Sequence, residues 1–282
     1  GTVDVDALEA MGKEPHALPE LKAKTKEHLT SVLDRARETG LLTHLGGTWY
    51  TIHPALPWFL RQLFARHYDG QSGRSTATAA LRAWVEAIGE LGNYYCNQFI
   101  AGNRGVIQFL VLEEANLLHA RRTARGHGWW DPVTSAMQGL RILYEYQGRL
   151  SEWSRLVAEI TPDYCTPDDA PIPGREGQYS TVIGYRVSLA KDHDRDIPIA
   201  AALQRKRVTW DRQQAAPALA LPADAPLDPD QRNRIRTLGV GVFTLGQILM
   251  GQGSPDCVAA YEETIRFTQR IQDTAAEATG QS

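Results

Sequence analysis

The sequence predicts a mainly α-helical chain. An N-terminal winged helix with a small β-hairpin is expected over residues 1–70, and a degenerate tetratricopeptide-like α-solenoid over residues 76–282. Three observations predict this. Gly40 to Leu60 reads as a hairpin leading into a helix. From Thr76 onward apolar residues recur at helical spacing and strand-like alternation stops. Three of the later helix pairs share a repeat register.

In the first unit, Val3, Val5, Leu8 and Met11 suggest a short helix. Leu18 and Leu21 lead into a second, with Leu29, Val32, Leu33 and Ala36 at helical spacing. That helix stops near Gly40, a residue type suited to the left-handed position past a helix end. Leu41, Leu42 and Leu45 form an apolar run. Gly46-Gly47 supplies the positive φ of a tight turn, and Trp49, Tyr50, Thr51 and Ile52 have the β-branched and aromatic make-up of a returning strand. His53-Pro54 ends the strand, and Pro57 fits the first turn of a new helix. Leu56, Phe59, Leu60, Leu63 and Phe64 share one face of that helix. Asp69-Gly70-Gln71-Ser72-Gly73 reads as a linker.

Beyond it, Leu81, Trp84, Val85, Ile88 and Leu91 mark one helix. Val106, Leu110, Leu117 and Leu118 mark a second, ended by Gly126-His127-Gly128, with Gly102-Asn103-Arg104-Gly105 between the two. Three pairs follow: Trp130 to about Gln147 with Leu150 to about Ile160; Tyr179 to Lys191 with Ile197 to about Gln213; and Arg232 to Met250 with Asp256 to about Ala276. Thr161–Gly177 and Ala215–Asp230, rich in Pro and Asp, read as long loops.

The pairs carry the repeat pattern. Met137, Leu140, Tyr144, Gly148, Leu150, Trp153 and Val157 keep its register. Val182, Tyr185, Leu189, His193, Ile197 and Ala202 nearly keep it. Val242, Leu245, Gly246, Leu249, Gly253, Cys257 and Tyr261 keep it with one residue missing before Cys257. Leu245-Gly246 is the best match, because a glycine there lets one helix approach its neighbour closely. Isolated pairs cannot bury their apolar faces, so stacking is expected. Gln272–Ser282 has neither a Pro stop nor a strongly polar capping helix. The array is therefore expected to continue beyond this fragment, and a chain starting at Gly1 is expected to have natural sequence upstream.

Composition narrows the function classes. A net charge of −3 supplies no global basic field for non-specific nucleic-acid binding. No apolar run reaches the roughly 18 residues of a membrane helix, and no signal peptide is visible. Cys96, Cys165 and Cys257 are scattered without CxxC spacing, which argues against a disulfide framework or zinc site and for a reducing, cytoplasmic setting. GxxxxGK[ST], HExxH and GxSxG are absent, so the fragment is read as non-catalytic, without a cofactor or metal of its own.

Several clusters carry candidate chemistry. Glu113, Glu114 and His119 do not share one helix face, which favours surface or interhelical roles over metal ligation. Asp192-His193-Asp194-Arg195-Asp196 sits where a turn is expected and reads as solvated charge. Arg121, Arg122 and Arg125, with His119 and His127 beside Trp129-Trp130, form a basic cluster best read as a helix C-terminus complementing its dipole. Arg205-Lys206-Arg207 reads as a solvated helix face. The candidate DNA-recognition helix, roughly Leu21 to Glu38, mixes Lys22, Lys24, Lys26, Arg35 and Arg37 with Glu20, Glu27, Asp34 and Glu38, which argues against a phosphate-binding face.

Three motifs, in order, carry a resemblance. Tyr50-Thr51-Ile52-His53-Pro54-Ala55-Leu56 resembles the end of the winged-helix domain in STAND-class (NB-ARC-like) signalling ATPases. Glu113-Glu114-Ala115-Asn116-Leu117-Leu118-His119-Ala120-Arg121 resembles the Glu-x-x-Asn-Leu helix that opens the helical-repeat region in bacterial members. Gln147-Gly148-Arg149-Leu150-Ser151-Glu152-Trp153 is similar to one of their turns. The resemblance implies a regulator. An upstream nucleotide-binding domain would hold ADP or ATP, the winged helix would close over it, and the repeats would sense a partner. It also implies that His53 corresponds to a histidine contacting the nucleotide's β-phosphate. Pro54 stands where the family commonly has Asp, a departure that counts against an Asp-dependent lock.

The expected function is thus a regulatory and sensor segment that recognises a protein or peptide through its repeats and contacts its own nucleotide-binding domain. Repeat geometry places Gln138, Ile142 and Glu145 of one pair, and Val187 and Lys191 of the next, on the concave partner-binding surface. The alternative is a DNA-binding transcription regulator with a helical effector domain. A third reading is an enzyme with a site assembled between helices.

Overall fold

The computed structural model describes residues 1–68, 71–223 and 225–271, with side chains described outside 71–74. Among these residues the chain is mainly helical, with twelve α-helices and one small antiparallel sheet. It packs as two compact units, Gly1–Arg149 and Leu150–Ser282.

The first unit begins with strand β1 (Thr2–Asp4), helix α1 (Val5–Lys13), a short α2 (Pro19–Lys22) and α3 (Lys26–Glu38). Strands β2 (Leu42–Gly46) and β3 (Trp49–Ile52) follow, then α4 (Leu56–His67). The hairpin closes through Gly46 and Gly47, whose φ angles of +114° and +57° suit a residue without Cβ. β1 adds to it antiparallel, in sheet order β1-β3-β2, pairing Thr2 with Thr51 and Asp4 with Trp49. Val3, read as helical, therefore lies in a strand. The Asp4 side chain accepts from the Asp6 N–H and starts the helix one residue after the strand ends.

Val5, Leu29 and Tyr50 form a small core, with Leu8, Leu21, Leu33 and Leu42 packed on it. Val32, Leu41 and Leu45, grouped with these apolar positions in the sequence, are exposed. The helix expected from Leu21 is interrupted between Lys22 and Lys26, where Thr25 caps α3 by accepting from the His28 N–H. The apolar face expected of α4 does not pack: no residue of that helix is buried, and Phe59, Leu60, Leu63 and Phe64 are exposed.

Asp69-Gly70 of the expected linker lies outside the described residues. Gln71, Ser72 and Gly73 are already helical, in α5 (Gln71–Ile100). One glycine costs a helix only about 1 kcal/mol, which a thirty-residue helix absorbs. α5, α6 (Val106–His127) and α7 (Trp130–Tyr146) pack on one another. The sheet lies against this group. Thr2 Oγ1 donates to the Leu112 carbonyl at 3.0 Å, Asn116 Nδ2 donates to the Thr2 carbonyl at 3.3 Å, and the Phe109 ring stacks on Trp49 and on Tyr95.

The second unit holds α8 (Leu150–Tyr164), α9 (Glu176–Ser188) with a π-helical turn at Leu189–His193, α10 (Ile197–Leu219), α11 (Pro229–Gly251) and α12 (Asp256–Ile271). Here α8 packs on α9, α9 on α10, α10 on α11 and α11 on α12. Both expected loops are shorter than read. α8 continues through Pro162 to Tyr164, and α10 continues through Pro217 to Leu219. Burial of Tyr164 and Ala218 holds these last turns despite the missing proline N–H. Pro229 opens α11 behind a capping box, in which Asp228 accepts from the Gln231 N–H and the Gln231 side chain accepts from the Asp228 N–H. Residues 272–276 of the last expected helix, and the Gln272–Ser282 end, lie outside the described residues. No described helix is long and apolar enough to cross a membrane.

Candidate functional site

The residues named from the sequence scatter. His53 is exposed just after β3. Its Nδ1 accepts from the Ala55 N–H at 3.3 Å and its own N–H donates to the Leu41 carbonyl at 3.1 Å. Ile142 and Val187 are buried and offer no surface to a partner. Their burial follows from packing on both sides of a helix, which a register built on one concave face does not capture. Gln138 and Glu145 are half-buried and both accept from Arg141, at 3.3 and 3.1 Å. Lys191, in the π-helical turn, pairs with Asp192.

The weighed clusters resolve into structural roles. Glu114 binds across the fold, accepting from Tyr144 Oη at 2.7 Å and from Arg149. Asp196 caps α10, and its carboxylate accepts from the Ile199 N–H. His127 stacks on Trp129 with ring centroids 4.4 Å apart. No group of three or more His, Cys, Asp or Glu able to hold a metal occurs among the described residues. Cys96 and Cys165 are buried thiols and Cys257 is half-buried.

A different set of residues converges where α9, α10 and α11 meet. Gln204, Arg207 and Asp211 fall at i, i+3 and i+7 of α10, so they share one face, yet Gln204 and Asp211 are buried. Arg207 Nε donates to Ser180 Oγ at 2.9 Å, and Ser180 Oγ donates to Asp211 Oδ2 at 3.1 Å. Arg207 Nε stands 3.6 Å from the same carboxylate oxygen. Gln204 Nε2 donates to the Gly241 carbonyl of α11 at 2.5 Å. Burial pushes the Asp211 carboxyl above its usual range, an effect opposed by Arg207 and Ser180, and burial likewise lowers Arg207.

This polar seam opens outward into a cavity of about 220 Å³. Ser180 and Asp211 lie at its base, beside Trp210, Gln214 and Thr237, with Glu176, Asp230, Asn233 and Arg234 completing the lining. The Tyr179 ring meets Trp210 edge-on at 5.6 Å. The same tryptophan borders a second hollow, where Asp169 pairs with Arg186 and Lys206. Burial raises the Asp169 carboxyl, but those two cations outweigh it and hold it below its ordinary value.

Sequence reasoning missed this set. Its signal was present: Gln204, Arg207 and Asp211 interleave with Leu203, Val208 and Ala215 at core spacing, polar side chains where a buried stripe was due. The Arg205-Lys206-Arg207 run hid it, because Arg205 and Lys206 are exposed, Lys206 paired with Asp169, and only Arg207 turns inward. Comparison with known protein families, characterised proteins and solved structures gave no match.

Proposed function

We propose that this chain is a non-catalytic regulatory segment that recognises a protein or peptide in the hollow between α9, α10 and α11. The observation that carries the reading is the second unit's packing. Each helix lies on its neighbour in sequence, the arrangement that leaves open grooves for partners, and one such groove has an aromatic wall over a buried polar floor. Repeat-like packing is further supported by Gly246, which sits beneath the Tyr261 ring as the repeat register anticipates.

On this reading the wider setting is that of a STAND-type signalling ATPase. The first unit would act as a winged helix bearing on an upstream nucleotide-binding domain that holds ADP or ATP. The exposed His53 ring supports that role: Nδ1 is occupied by the Ala55 N–H, so the outward Nε2 would be the donor to phosphate. The DNA-binding reading draws little support from α3, where Lys26 pairs with Asp6 and Arg37 with Asp34.

Panning a random peptide library on the full chain tests the recognition reading. Enriched peptides should lose binding to Thr237→Arg, which fills the hollow, and keep binding to Lys26→Glu on α3. Enrichment indifferent to Thr237→Arg, or none at all, overturns it.

A further inference from the structure

We infer that the hollow between α9, α10 and α11 receives a cationic side chain, lysine or arginine, presented by the protein or peptide partner. This rests on the recognition reading above and adds the chemistry of what is recognised.

The floor supplies the first argument. Asp211 is 3% exposed, and both of its contacts, from Ser180 and from Arg207, fall on Oδ2. Among the described residues nothing donates to Oδ1, although the residue lines the cavity. A carboxylate that lines the cavity with lone pairs still unused can accept from a ligand, and a charged donor gives the stronger bond. An anion there would meet repulsion from the same group.

The walls supply the second. Trp210 lines one side, its ring in a T-shaped contact with Tyr179. An indole face is the preferred aromatic surface for an ammonium or guanidinium group. Tryptophan and carboxylate together therefore favour a cation over a neutral donor.

The rim supplies the third. Of the charged side chains lining the cavity, Glu176, Asp211 and Asp230 are carboxylates and only Arg234 is cationic. Arg234 is already paired with Asp230, Nη2 to Oδ2 at 2.8 Å. Arg207 belongs to the seam behind the floor, balances part of the Asp211 charge and is not among the lining residues. With Asp230 paired, Glu176 is the exposed carboxylate left at the mouth, so the rim is net acidic and would attract a basic segment before it docks.

The test is an NMR titration of the full chain with the peptide acetyl-Ser-Gly-Lys-Gly-Ser-amide. Its arginine, Nε-acetyl-lysine and glutamate counterparts are run in parallel. The Trp210 indole N–H and the Asn233 and Thr237 amides should shift saturably with the lysine or arginine peptide and stay still with the other two. Asp211→Asn should weaken binding about tenfold or more. If that variant does not fold, the double variant Glu176→Gln/Asp230→Asn, changed only at exposed positions, should weaken binding severalfold. An equal response to the acetylated peptide, a response to the glutamate peptide, or no response at Trp210 overturns the inference. Panning separates the two claims. Groove-dependent peptides that lack lysine and arginine sink the cation and spare the recognition reading, while failure to obtain any groove-dependent peptide sinks both.

Discussion

Gly92 and Gly139 meet backbone to backbone where α5 packs on α7. A Cβ on Gly139 would lie 3.0 Å from the Gly92 Cα, and a Cβ on Gly92 would lie 3.0 Å from the Ser135 carbonyl oxygen. The nearest opposing atom at each glycine is main chain and cannot rotate aside, and the Leu110 and Leu117 side chains crowd the same contact. Gly139→Ala is therefore expected to cost about 1–3 kcal/mol of stability through overpacking. Gly126→Ala, at an exposed helical position with nothing near its would-be Cβ, should gain up to about 1 kcal/mol. Urea unfolding midpoints compare the two, and equal tolerance would contradict the close contact.

Glu113 makes the stability of the first unit depend on pH. It is 1% exposed, Asn116 Nδ2 donates to its Oε2 at 2.8 Å, and no described group donates to Oε1. Burial lifts its carboxyl to about 7 from an ordinary 4.5, opposed by the Asn116 bond and aided by the nearby Asp4. The folded chain thus holds this proton more tightly than the unfolded chain does. The contribution is whole below pH 4.5 and is lost as pH rises to about 7, by up to about 3 kcal/mol. Glu113→Gln should flatten this fall and raise Tm at pH 8 relative to the parent. Parallel Tm–pH curves for the two proteins would refute it.

The α11–α12 contact offers a coupling experiment. A Cβ on Gly246 would stand 2.9 Å from Tyr261 Cε1, so Gly246→Ala must displace the ring. A loss of about 1–2 kcal/mol is expected. In the double variant with Tyr261→Ala that penalty should largely vanish, giving a coupling energy above about 0.5 kcal/mol in a double-mutant cycle. Strict additivity would show that the ring does not rest on the glycine.

Arg207 and Asp211 should be dependent on each other. Arg207→Met leaves a buried carboxylate without its cation and is expected to cost about 3–5 kcal/mol, while Arg207→Met/Asp211→Asn should recover a substantial part. Thermal melts at neutral pH decide this. If the double variant is no more stable than Arg207→Met, the pair is not acting as one unit.

The fold was legible wherever local pattern decides structure. The hairpin at Gly46-Gly47, the helices around Leu81, Leu110, Leu140, Val182 and Val242, and the turns at Gly148 and Gly253 follow from spacing and turn chemistry within a few residues. β1 escaped notice because three residues, Thr2 to Asp4, carry no alternation of their own and become a strand only by pairing with β3. Pro162 and Pro217 read locally as loop residues, since the burial that keeps them helical depends on distant neighbours. Gln138, Ile142, Glu145, Val187 and Lys191 were placed from a one-sided register, and the structure buries two of the five. Asp211 was invisible as a site residue because polarity at a core position acquires meaning only once its partners are known.

By itself the sequence determined the helical class, the hairpin and most element boundaries. These are properties of periodicity and of single-residue backbone preference, which act over a turn or two of chain. Tertiary structure alone decided that Gly92 lies against Gly139, that Glu113 is sealed beside Asp4, and that Ser180, Trp210 and Asp211 surround one hollow. Those pairings join residues tens of positions apart, and packing between helices selects them through shape and burial that no local window contains.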